Sequence, residues 1–317
     1  MKIVVLDAHA MNPGDLSWDN LKKLGETDIH DRSSVEETPS RIADAEVVLT
    51  NKSLLTKEII DQAPMLRYIG VMATGYNVVD TNAARQKNIV VTNVPAYSTM
   101  SVAQLTFAII LEFSVHTVMY AESVRKGDWV LSKDFSYQLV PIMELQHKII
   151  GIVGLGQIGQ AVAKIALAFG MKVIASHKHP ERDKMEGVTF VDEATCFHDA
   201  DFVSLHCPLK EDNNQFVNQE LLNLMKPSAF LINTSRGALV NEEDLADALN
   251  NDRIAGAGLD VLSSEPPAED NPLLKAKNCL VTPHIGWATF EARSRLMDVV
   301  VNNVKAFMDE NPVNKVL

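Results

Sequence analysis

Short hydrophobic runs rich in valine and isoleucine alternate along the chain with stretches whose apolar positions recur every three or four residues. Such runs are typical of strands buried on both faces, and the amphipathic stretches fit helices that cross between parallel strands. Four runs lie in the first third of the chain, at 2–6, 46–49, 68–71 and 89–91. This part is predicted to form one doubly wound unit, residues 1–97.

A second series of runs predicts a second parallel sheet, with strands at 148–153, 172–175, 201–205, 229–233, 256–260 and 279–282. Between the two series we expect a helix that begins near Ser98, Thr99 or Ser101 and continues to about Arg125, where Gly127 ends it. The segment 290–308 has a helical period, and we expect it to pack onto the first unit. The predicted division is therefore 1–97, completed by 290–317, and 98–289.

The stretch 128–146 contains Trp129, Phe135 and Tyr137 but has only weak periodicity. Two interpretations stay open for it. It is either an arm that packs on a second subunit and makes a homodimer, or a surface loop that covers its own unit.

Charge and cysteine content narrow the classes of partner. The 317 residues include 41 acidic and 29 basic side chains, a net charge of −12 that disfavours nucleic acid or an anionic membrane as partner. The opening MKIVVLD is not expected to be a signal peptide, and Glu112 and His116 interrupt the most apolar helical stretch. Three cysteines in no metal-ligand spacing fit a reducing cytoplasm, and no metal site is predicted.

The segment GLGQIG, residues 154–159, follows a predicted strand and opens a predicted helix. Gly154 permits a tight turn, Gly156 lets a pyrophosphate approach the backbone, and Gly159 lets helix and strand pack closely. Gln157 and Ile158 begin the helix, whose free N–H groups and positive dipole end favour phosphate. In this strand–turn–helix setting the motif predicts a Rossmann domain that binds a dinucleotide.

The strand after the glycine loop is expected to end in an acid that binds the adenosine ribose hydroxyls. Here it ends Ala175-Ser176-His177-Lys178-His179, with no carboxylate. Lys178 or His177 could contact a 2′-phosphate, a neutral His177 could bind a ribose hydroxyl, or the loop could simply be solvated. The cofactor is therefore predicted to be NAD(H) or NADP(H), with no preference between them.

Three polar segments follow strands of the second series and contain Arg236, Glu265 and His284. An arginine can bind a carboxylate with its planar fork, and a histidine can transfer a proton near neutral pH. A carboxylate such as Glu265 would orient the imidazole. Each residue alone also has a structural interpretation: Arg236 as part of an ion pair, Glu265 as a turn residue and His284 as a helix cap. The three together, in a chain that also contains a predicted dinucleotide-binding loop, favour catalysis on a 2-keto acid.

GLGQIG, NTSRGALVNEEDL, AGAGLDVLSSEPP and TPHIGWAT, in this order, resemble the D-isomer-specific 2-hydroxyacid dehydrogenase family over nearly the whole chain. The resemblance is strongest to its glycerate dehydrogenase (hydroxypyruvate reductase) members. It implies two doubly wound α/β lobes, a Rossmann dinucleotide-binding domain and a flavodoxin-like substrate domain, and commonly a homodimer. It also implies that Arg236, Glu265 and His284 are catalytic.

Further roles come from the same resemblance. Asp260 is expected to hold the nicotinamide carboxamide, and Thr234, Cys207 and Pro208 to line the cofactor. The family's substrate-carboxylate loop falls on Thr74 and Gly75. Two more assignments rest on position along the chain: Trp287, beside His284, suits a small polar substrate, the cofactor site or packing, and Lys52, on a loop of the first unit, suits the substrate or solvent.

The predicted reaction is hydride transfer between NAD(P)H and a small 2-keto acid, with hydroxypyruvate reduced to D-glycerate. Two alternatives stay open. One is another D-2-hydroxyacid dehydrogenase acting on glyoxylate or pyruvate, and the other is an NAD(H)-sensing binding protein of the same fold.

Overall fold

The structure is a computed structural model that describes residues 1–316. The chain forms two compact units, one made of Met1–Ser98 together with the segment that begins at Ala288, the other of Thr99–Trp287. Each unit has its own sheet and its own hydrophobic core. The functions assigned to the two parts of the chain stay predictions.

The first unit contains a parallel five-stranded sheet in the order β2-β1-β3-β4-β5. Its strands are β1 (Lys2–Val5), β2 (Glu26–Ile29), β3 (Val47–Thr50), β4 (Tyr68–Val71) and β5 (Val90–Thr92). Its helices are α1 (Ala8–Met11), α2 (Asp19–Lys22), α3 (Thr38–Ile42), α4 (Lys57–Asp61), α5 (Thr81–Gln86) and α12 (Phe290–Met308).

Helix α12 completes the first unit from the far end of the sequence. Its bounds confirm the helix predicted at 290–308. Thr289 caps its first turn by accepting a hydrogen bond from the N–H of Ala292. The Phe307 ring lies 4.8 Å from the ring of Tyr68 in β4, which places the helix on the sheet.

The second unit contains a parallel seven-stranded sheet in the order β12-β11-β10-β9-β6-β7-β8. Its strands are β6 (Ile149–Val153), β7 (Lys172–Ser176), β8 (Val188–Phe190), β9 (Phe202–Leu205), β10 (Phe230–Asn233), β11 (Gly256–Leu259) and β12 (Cys279–Val281). Its helices are α6 (Thr99–Val115), α7 (Thr117–Lys126), α8 (Gln157–Ala168), α9 (Glu193–Asp199), α10 (Gln219–Leu224) and α11 (Glu242–Asn250), with 3-10 turns at Glu211–Asn213, Gly237–Leu239 and Pro272–Leu274.

These strand orders confirm the predicted fold class. The first sheet has the flavodoxin-like order, and the second has the Rossmann order with one further strand at its edge. Strand order reverses direction between β1 and β3 in the first unit and between β6 and β9 in the second. Ligands of open α/β sheets bind outside the carboxyl ends of the strands at such switch points.

The single long helix predicted up to Arg125 is wrong, because it is broken at His116. His116 has a left-handed backbone (φ 50°), and α6 and α7 meet there at a bend of 53°. The hydroxyl of Ser114 also donates to the carbonyl of Ile110, a contact that bends helices. Among residues 1–316 no single helix is long and apolar enough to cross a membrane, although this bent pair meets the length and composition criteria together.

Two strands were not predicted, β2 and β8. Both are edge strands of their sheets, and neither has a fully buried residue. The polar residues Glu26, Thr27 and Asp28 in β2 and Thr189 in β8 leave these strands without the apolar run by which β12, also an edge strand, was predicted.

The stretch 128–146 forms neither helix nor strand. It is tied to α7 by hydrogen bonds, among them one from the Tyr120 hydroxyl to the carbonyl of Val140. Its apolar side chains are nevertheless largely exposed: Leu131 is 83% and Phe135 90% exposed.

Candidate active site

The loops that contain Arg236, Glu265 and His284 follow three adjacent parallel strands, β10, β11 and β12. Their backbones are joined to each other: the N–H of Asp260 donates to Asn233, and the N–H of His284 donates to Asp260. The three predicted catalytic residues therefore belong to one edge of the second sheet.

His284 and Glu265 form a pair. Nδ1 of His284 lies 2.6 Å from Oε2 of Glu265, and both side chains are partly buried, at 27% and 33% exposure. His284 has a left-handed backbone (φ 53°), which a non-glycine residue adopts only at some cost. The backbone of this turn is thus held in an uncommon conformation at the residue predicted to transfer the proton.

The turn around His284 is held by the carboxylate of Asp260, which is 1% exposed. Oδ1 accepts hydrogen bonds from the Thr282 hydroxyl (2.7 Å) and the N–H of Ile285 (2.8 Å), and Oδ2 accepts one from the N–H of Gly286 (2.7 Å). Three charge-assisted bonds from residues on both sides of His284 fix the path of the backbone.

Arg236 is exposed, and its Nη1 donates to the carbonyl of Ser235 at 2.8 Å. The Asn233 side chain in turn donates to the Arg236 carbonyl. A Cβ on Gly237 would collide with the backbone of Leu262, so the arginine loop packs directly against the loop that leads to Glu265. The structure thereby brings together the loops of all three predicted catalytic residues.

The glycine loop has the geometry of a phosphate-binding turn. Gly154 has φ +97°, and a Cβ there would lie 2.6 Å from the backbone nitrogen of Cys207. A Cβ on Gly159 would collide with the carbonyl oxygen of Gly154. A Cβ on Gly156 would instead have no neighbour within 4 Å. Packing within the chain explains Gly154 and Gly159, whereas the space beside Gly156 is open to a ligand.

Two further observations show that the residues present fit a dinucleotide. Helix α8 begins at this loop with no side-chain cap on Gly156, so its first N–H groups, including those of the exposed Gln157 and half-buried Ile158, can face an anion. Nδ1 of His206 is buried and, among residues 1–316, has no hydrogen-bond partner. His206 directly follows β9, across the switch point from the glycine loop.

Comparison with known proteins identifies the family. A sequence profile of the D-isomer specific 2-hydroxyacid dehydrogenase NAD-binding domain matches residues 107–286. A hydroxypyruvate reductase of Blautia hydrogenotrophica is 47% identical, over 100% of this chain and 99% of that one. The chain belongs to the D-isomer specific 2-hydroxyacid dehydrogenase family.

Two more proteins are similar to this chain over most of their length. A glycerate dehydrogenase of Methylorubrum extorquens is 40% identical over 89% of this chain and 88% of its own. The structure of an acyclic imino acid reductase (Bsp5) in complex with NADPH and D-Arg superimposes with a TM-score of 0.88, at 34% identity and full coverage of both chains. The predicted family is thus confirmed, as is a nicotinamide dinucleotide cofactor with NAD(H) and NADP(H) both open.

In this 2-hydroxyacid dehydrogenase His177 stands where the sequence predicts a contact to the adenosine ribose, and both its ring nitrogens are engaged. Nδ1 accepts a hydrogen bond from the N–H of Leu155 in the glycine loop (3.1 Å), and Nε2 lies 2.7 Å from Oδ2 of Asp183. Arg182 also binds Asp183, and the two contacts lower the pKa of that carboxyl to about 2. Lys178 forms an exposed ion pair with Asp212 at 2.8 Å.

These contacts bear on the predicted cofactor role of His177. The imidazole would have to give up one of its two bonds to contact the ribose, so the structure favours a supporting role for it beside the glycine loop. Lys178, being exposed, remains a candidate for contact with a 2′-phosphate.

Three other residues expected at the cofactor lie around the carboxyl ends of β9 and β10. The Cys207 carbonyl accepts a hydrogen bond from Ser235 Oγ (2.7 Å), the exposed Pro208 follows it, and the buried Thr234 hydroxyl lies 3.1 Å from that of Thr106. Burial raises the pKa of the Cys207 thiol to about 11, so the thiol is uncharged at neutral pH. Trp287 is half-buried at the end of this unit.

The residues predicted to bind substrate besides Arg236 and His284 belong to the first unit. Lys52 and Thr74 are exposed and Gly75 is half-buried. They lie in the loops that follow β3 and β4, at the carboxyl edge of the first sheet.

His206 was not predicted to be a site residue. A signal for it exists in the sequence, since it directly follows a predicted strand, but its relevance depends on β9 being the neighbour of β6 across the switch point. Strand order is a property of the folded sheet, and the pattern of residues along the chain does not reveal it.

Proposed function

We propose that this 2-hydroxyacid dehydrogenase reduces hydroxypyruvate to D-glycerate with NADH or NADPH, and catalyses the reverse oxidation. The proposal is carried by the His284–Glu265 pair, which lies on one sheet edge with the loop of Arg236. The choice of hydroxypyruvate is supported by the two relatives named as hydroxypyruvate reductase and glycerate dehydrogenase.

A bound nicotinamide cofactor would supply the hydride for the carbonyl carbon. His284 supplies the proton that the carbonyl oxygen requires. Because Glu265 is hydrogen-bonded to Nδ1, Nε2 is the atom from which the proton leaves. The carboxylate also orients the imidazole, and the imidazole regains its proton from solvent after product leaves.

Arg236 is proposed to bind the substrate carboxylate. Its bond to the Ser235 carbonyl holds one edge of the guanidinium, and the planar fork presents parallel N–H groups to a carboxylate. Substrate contacts are also proposed for Lys52, Thr74 and Gly75. Cofactor contacts are proposed for Gly154, Gly156, Gln157, Ile158, Gly159, Lys178, Cys207, Pro208, Thr234, Asp260 and Trp287. His177, predicted as a cofactor contact, is proposed to support the glycine loop through its bond to Leu155.

The first prediction concerns substrate and mechanism together. Wild-type protein is assayed with hydroxypyruvate, glyoxylate and pyruvate, each with NADH and with NADPH, and we expect the highest kcat/KM with hydroxypyruvate. The variant His284→Ala loses about a thousandfold in kcat, because it has no proton donor for the carbonyl oxygen. Its Kd for NADH, measured by fluorescence titration, stays within about twofold of the wild-type value.

A matched control is His198→Ala, which removes an exposed imidazole on α9 and should retain full activity. Near-normal turnover by His284→Ala would contradict the mechanism. A higher kcat/KM with glyoxylate or pyruvate would assign another substrate within the family. NADH binding by wild-type protein without turnover of any keto acid would favour the NAD(H)-sensing alternative.

We also propose that the enzyme forms a homodimer and that it is located in the cytoplasm. Dimer formation is supported by the exposed apolar side chains of the stretch 128–146, which a second subunit would cover. A reducing compartment is supported by the three cysteines, all of which are free thiols.

A further inference from the structure

The loop that contains Lys52 lies at the switch point of the first sheet. Strands β1 and β3 are parallel neighbours, and Asp7 and Asn51 lie just beyond their carboxyl ends. In the flavodoxin-like strand order this is the place where ligands bind. Lys52 is exposed there, and within residues 1–316 its ammonium group forms no ion pair. An unpaired cation at a switch point is suited to an anionic substrate.

The backbone of this loop is folded around the carboxylate of Asp7, which is 8% exposed. Oδ1 accepts a hydrogen bond from the N–H of Asn51 (2.7 Å). Oδ2 accepts bonds from the N–H groups of Lys52 (2.5 Å) and Ser53 (2.7 Å), and from the Ser53 hydroxyl (3.2 Å). Three successive backbone N–H groups thus converge on one buried carboxylate.

The same loop is connected to the one that contains Thr74 and Gly75. The Asn51 side chain donates to the Met72 carbonyl at 2.6 Å, directly after β4. The Thr74 hydroxyl donates to the carbonyl of Val94, and the Asn93 side chain donates to the carbonyl of Thr74. Hydrogen bonds therefore run from Asp7 through Asn51 to both loops proposed to bind substrate.

We propose that Asp7 is a positioning residue for substrate binding. It acts by fixing the conformation of residues 51–53, so that the Lys52 ammonium and the adjoining loop 72–75 are held ready for the keto acid. The inference rests on the proposed function, because it presupposes that Lys52 contacts substrate.

The test is Asp7→Asn in the full-length protein. An amide offers one acceptor oxygen in place of two, and its NH₂ group would face backbone N–H groups that need an acceptor. We expect KM for hydroxypyruvate to rise about tenfold, a loss equivalent to one strong hydrogen bond. kcat should fall less than about threefold, and Kd for NADH should stay within about twofold, since the glycine loop belongs to the other unit.

A double-mutant cycle distinguishes positioning from general damage. Because Asp7 is proposed to hold both Lys52 and loop 72–75, Asp7→Asn should raise KM by about threefold in a Lys52→Ala background, against about tenfold in the wild type, so that the two effects are less than additive. Additive effects, or an unchanged KM in either single variant, would overturn the inference.

The matched control is Asp15→Asn. Asp15 belongs to the same unit and forms two bonds of 2.7 Å with Arg293. This variant should lower the melting temperature without changing KM. If Asp7→Asn does not fold, Asn51→Ser replaces it, because it breaks only the link to Met72. KM should then rise about fivefold, the loss of a single neutral hydrogen bond, and an unchanged KM would again overturn the inference.

Failure of this inference can be told apart from failure of the proposed function. An active wild type, an inactive His284→Ala and an unaltered KM in Asp7→Asn would leave the proposed function in place and remove only the role of Asp7. A wild type inactive on every keto acid would remove both.

Discussion

The surroundings of His206 keep its imidazole neutral. Burial lowers its pKa from 6.5 to about 4, and Nε2 lies 2.8 Å from the Ser204 hydroxyl. In the unfolded chain the same group binds a proton near pH 6.5. Between pH 6.5 and pH 4 the unfolded state therefore binds more protons than the folded state, and the stability that this histidine confers at neutral pH is lost as the pH falls through that window.

This linkage gives a prediction for His206→Gln. From pH 7 to pH 5 the free energy of unfolding of the wild type should fall by about 2 kcal/mol more than that of the variant, because glutamine does not titrate. Urea unfolding at the two pH values measures the difference. His198→Gln, which removes an exposed histidine, should keep the wild-type pH dependence. An equal loss of stability in His206→Gln and wild type would contradict the assignment.

At the scale of single residues, the sequence revealed those side chains that stand in recognisable motifs. Arg236, Glu265 and His284 were named because each lies in a polar segment after a strand, and the structure brings their loops to one sheet edge. Asp7 and His206 were missed. Asp7 was singled out by its hydrogen bonds to the loop after a neighbouring strand, and His206 by a buried ring nitrogen without a partner among residues 1–316. The sequence does not reveal such contacts, because they depend on the strand order.

At the scale of elements, the glycine loop and α8 form one structure, and glycine is expected at positions 156 and 159 for different reasons. Gly159→Ala should lower the melting temperature by several degrees, because the new methyl group collides with the Gly154 carbonyl. Gly156→Ala should leave the melting temperature within about 2 °C of the wild type, since its methyl group has no neighbour within 4 Å. Kd for NADH should nevertheless rise at least about tenfold in Gly156→Ala, because the methyl group occupies the path of the pyrophosphate.

The two variants serve as controls for each other, with stability measured by calorimetry and binding by NADH fluorescence. Alanine is otherwise the better helix former by about 1 kcal/mol, so destabilisation at position 159 can be ascribed to the collision. Unchanged NADH binding in a stable Gly156→Ala would show that the pyrophosphate does not approach this residue.

Every strand that consists entirely of buried residues was predicted from the sequence. Phe202–Leu205 and Phe230–Asn233 are two examples, in which every residue apart from Ser204 and Asn233 is apolar. The break at His116 was not predicted, since the apolar pattern continues on both sides and the left-handed backbone there has no marker such as glycine or proline. Helix periodicity reports which faces are buried, and it is insensitive to a bend.

At the scale of the whole molecule, both sheets position their candidate functional loops in the same way, but the loops themselves differ. Each places its loops of interest at the carboxyl ends of the strands on either side of a switch point, Asp7 and Asn51 in the first unit, Gly154 and His206 in the second. The strand orders differ, and so do the loops: the first presents a carboxylate-supported turn with an exposed lysine, the second a glycine turn at a helix N-terminus.

The stretch 128–146 provides the last prediction, which concerns assembly. Leu131 and Phe135 are more than four-fifths exposed, although leucine and phenylalanine gain about 2 kcal/mol each when they leave water. If this stretch is covered by a second copy of the chain, light scattering after size-exclusion chromatography should give twice the chain mass of 34.9 kDa. The double variant Leu131→Asp, Phe135→Asp should elute as a monomer at micromolar concentration, because two buried, unpaired carboxylates would oppose association. Val35→Asp alters a side chain of the first unit that is 56% exposed, and it should leave the mass unchanged.

A wild type that is monomeric at tens of micromolar, or a double variant that keeps the doubled mass, would contradict this assembly. Either result would show that 128–146 is a surface loop of its own unit, the interpretation that its sequence left open.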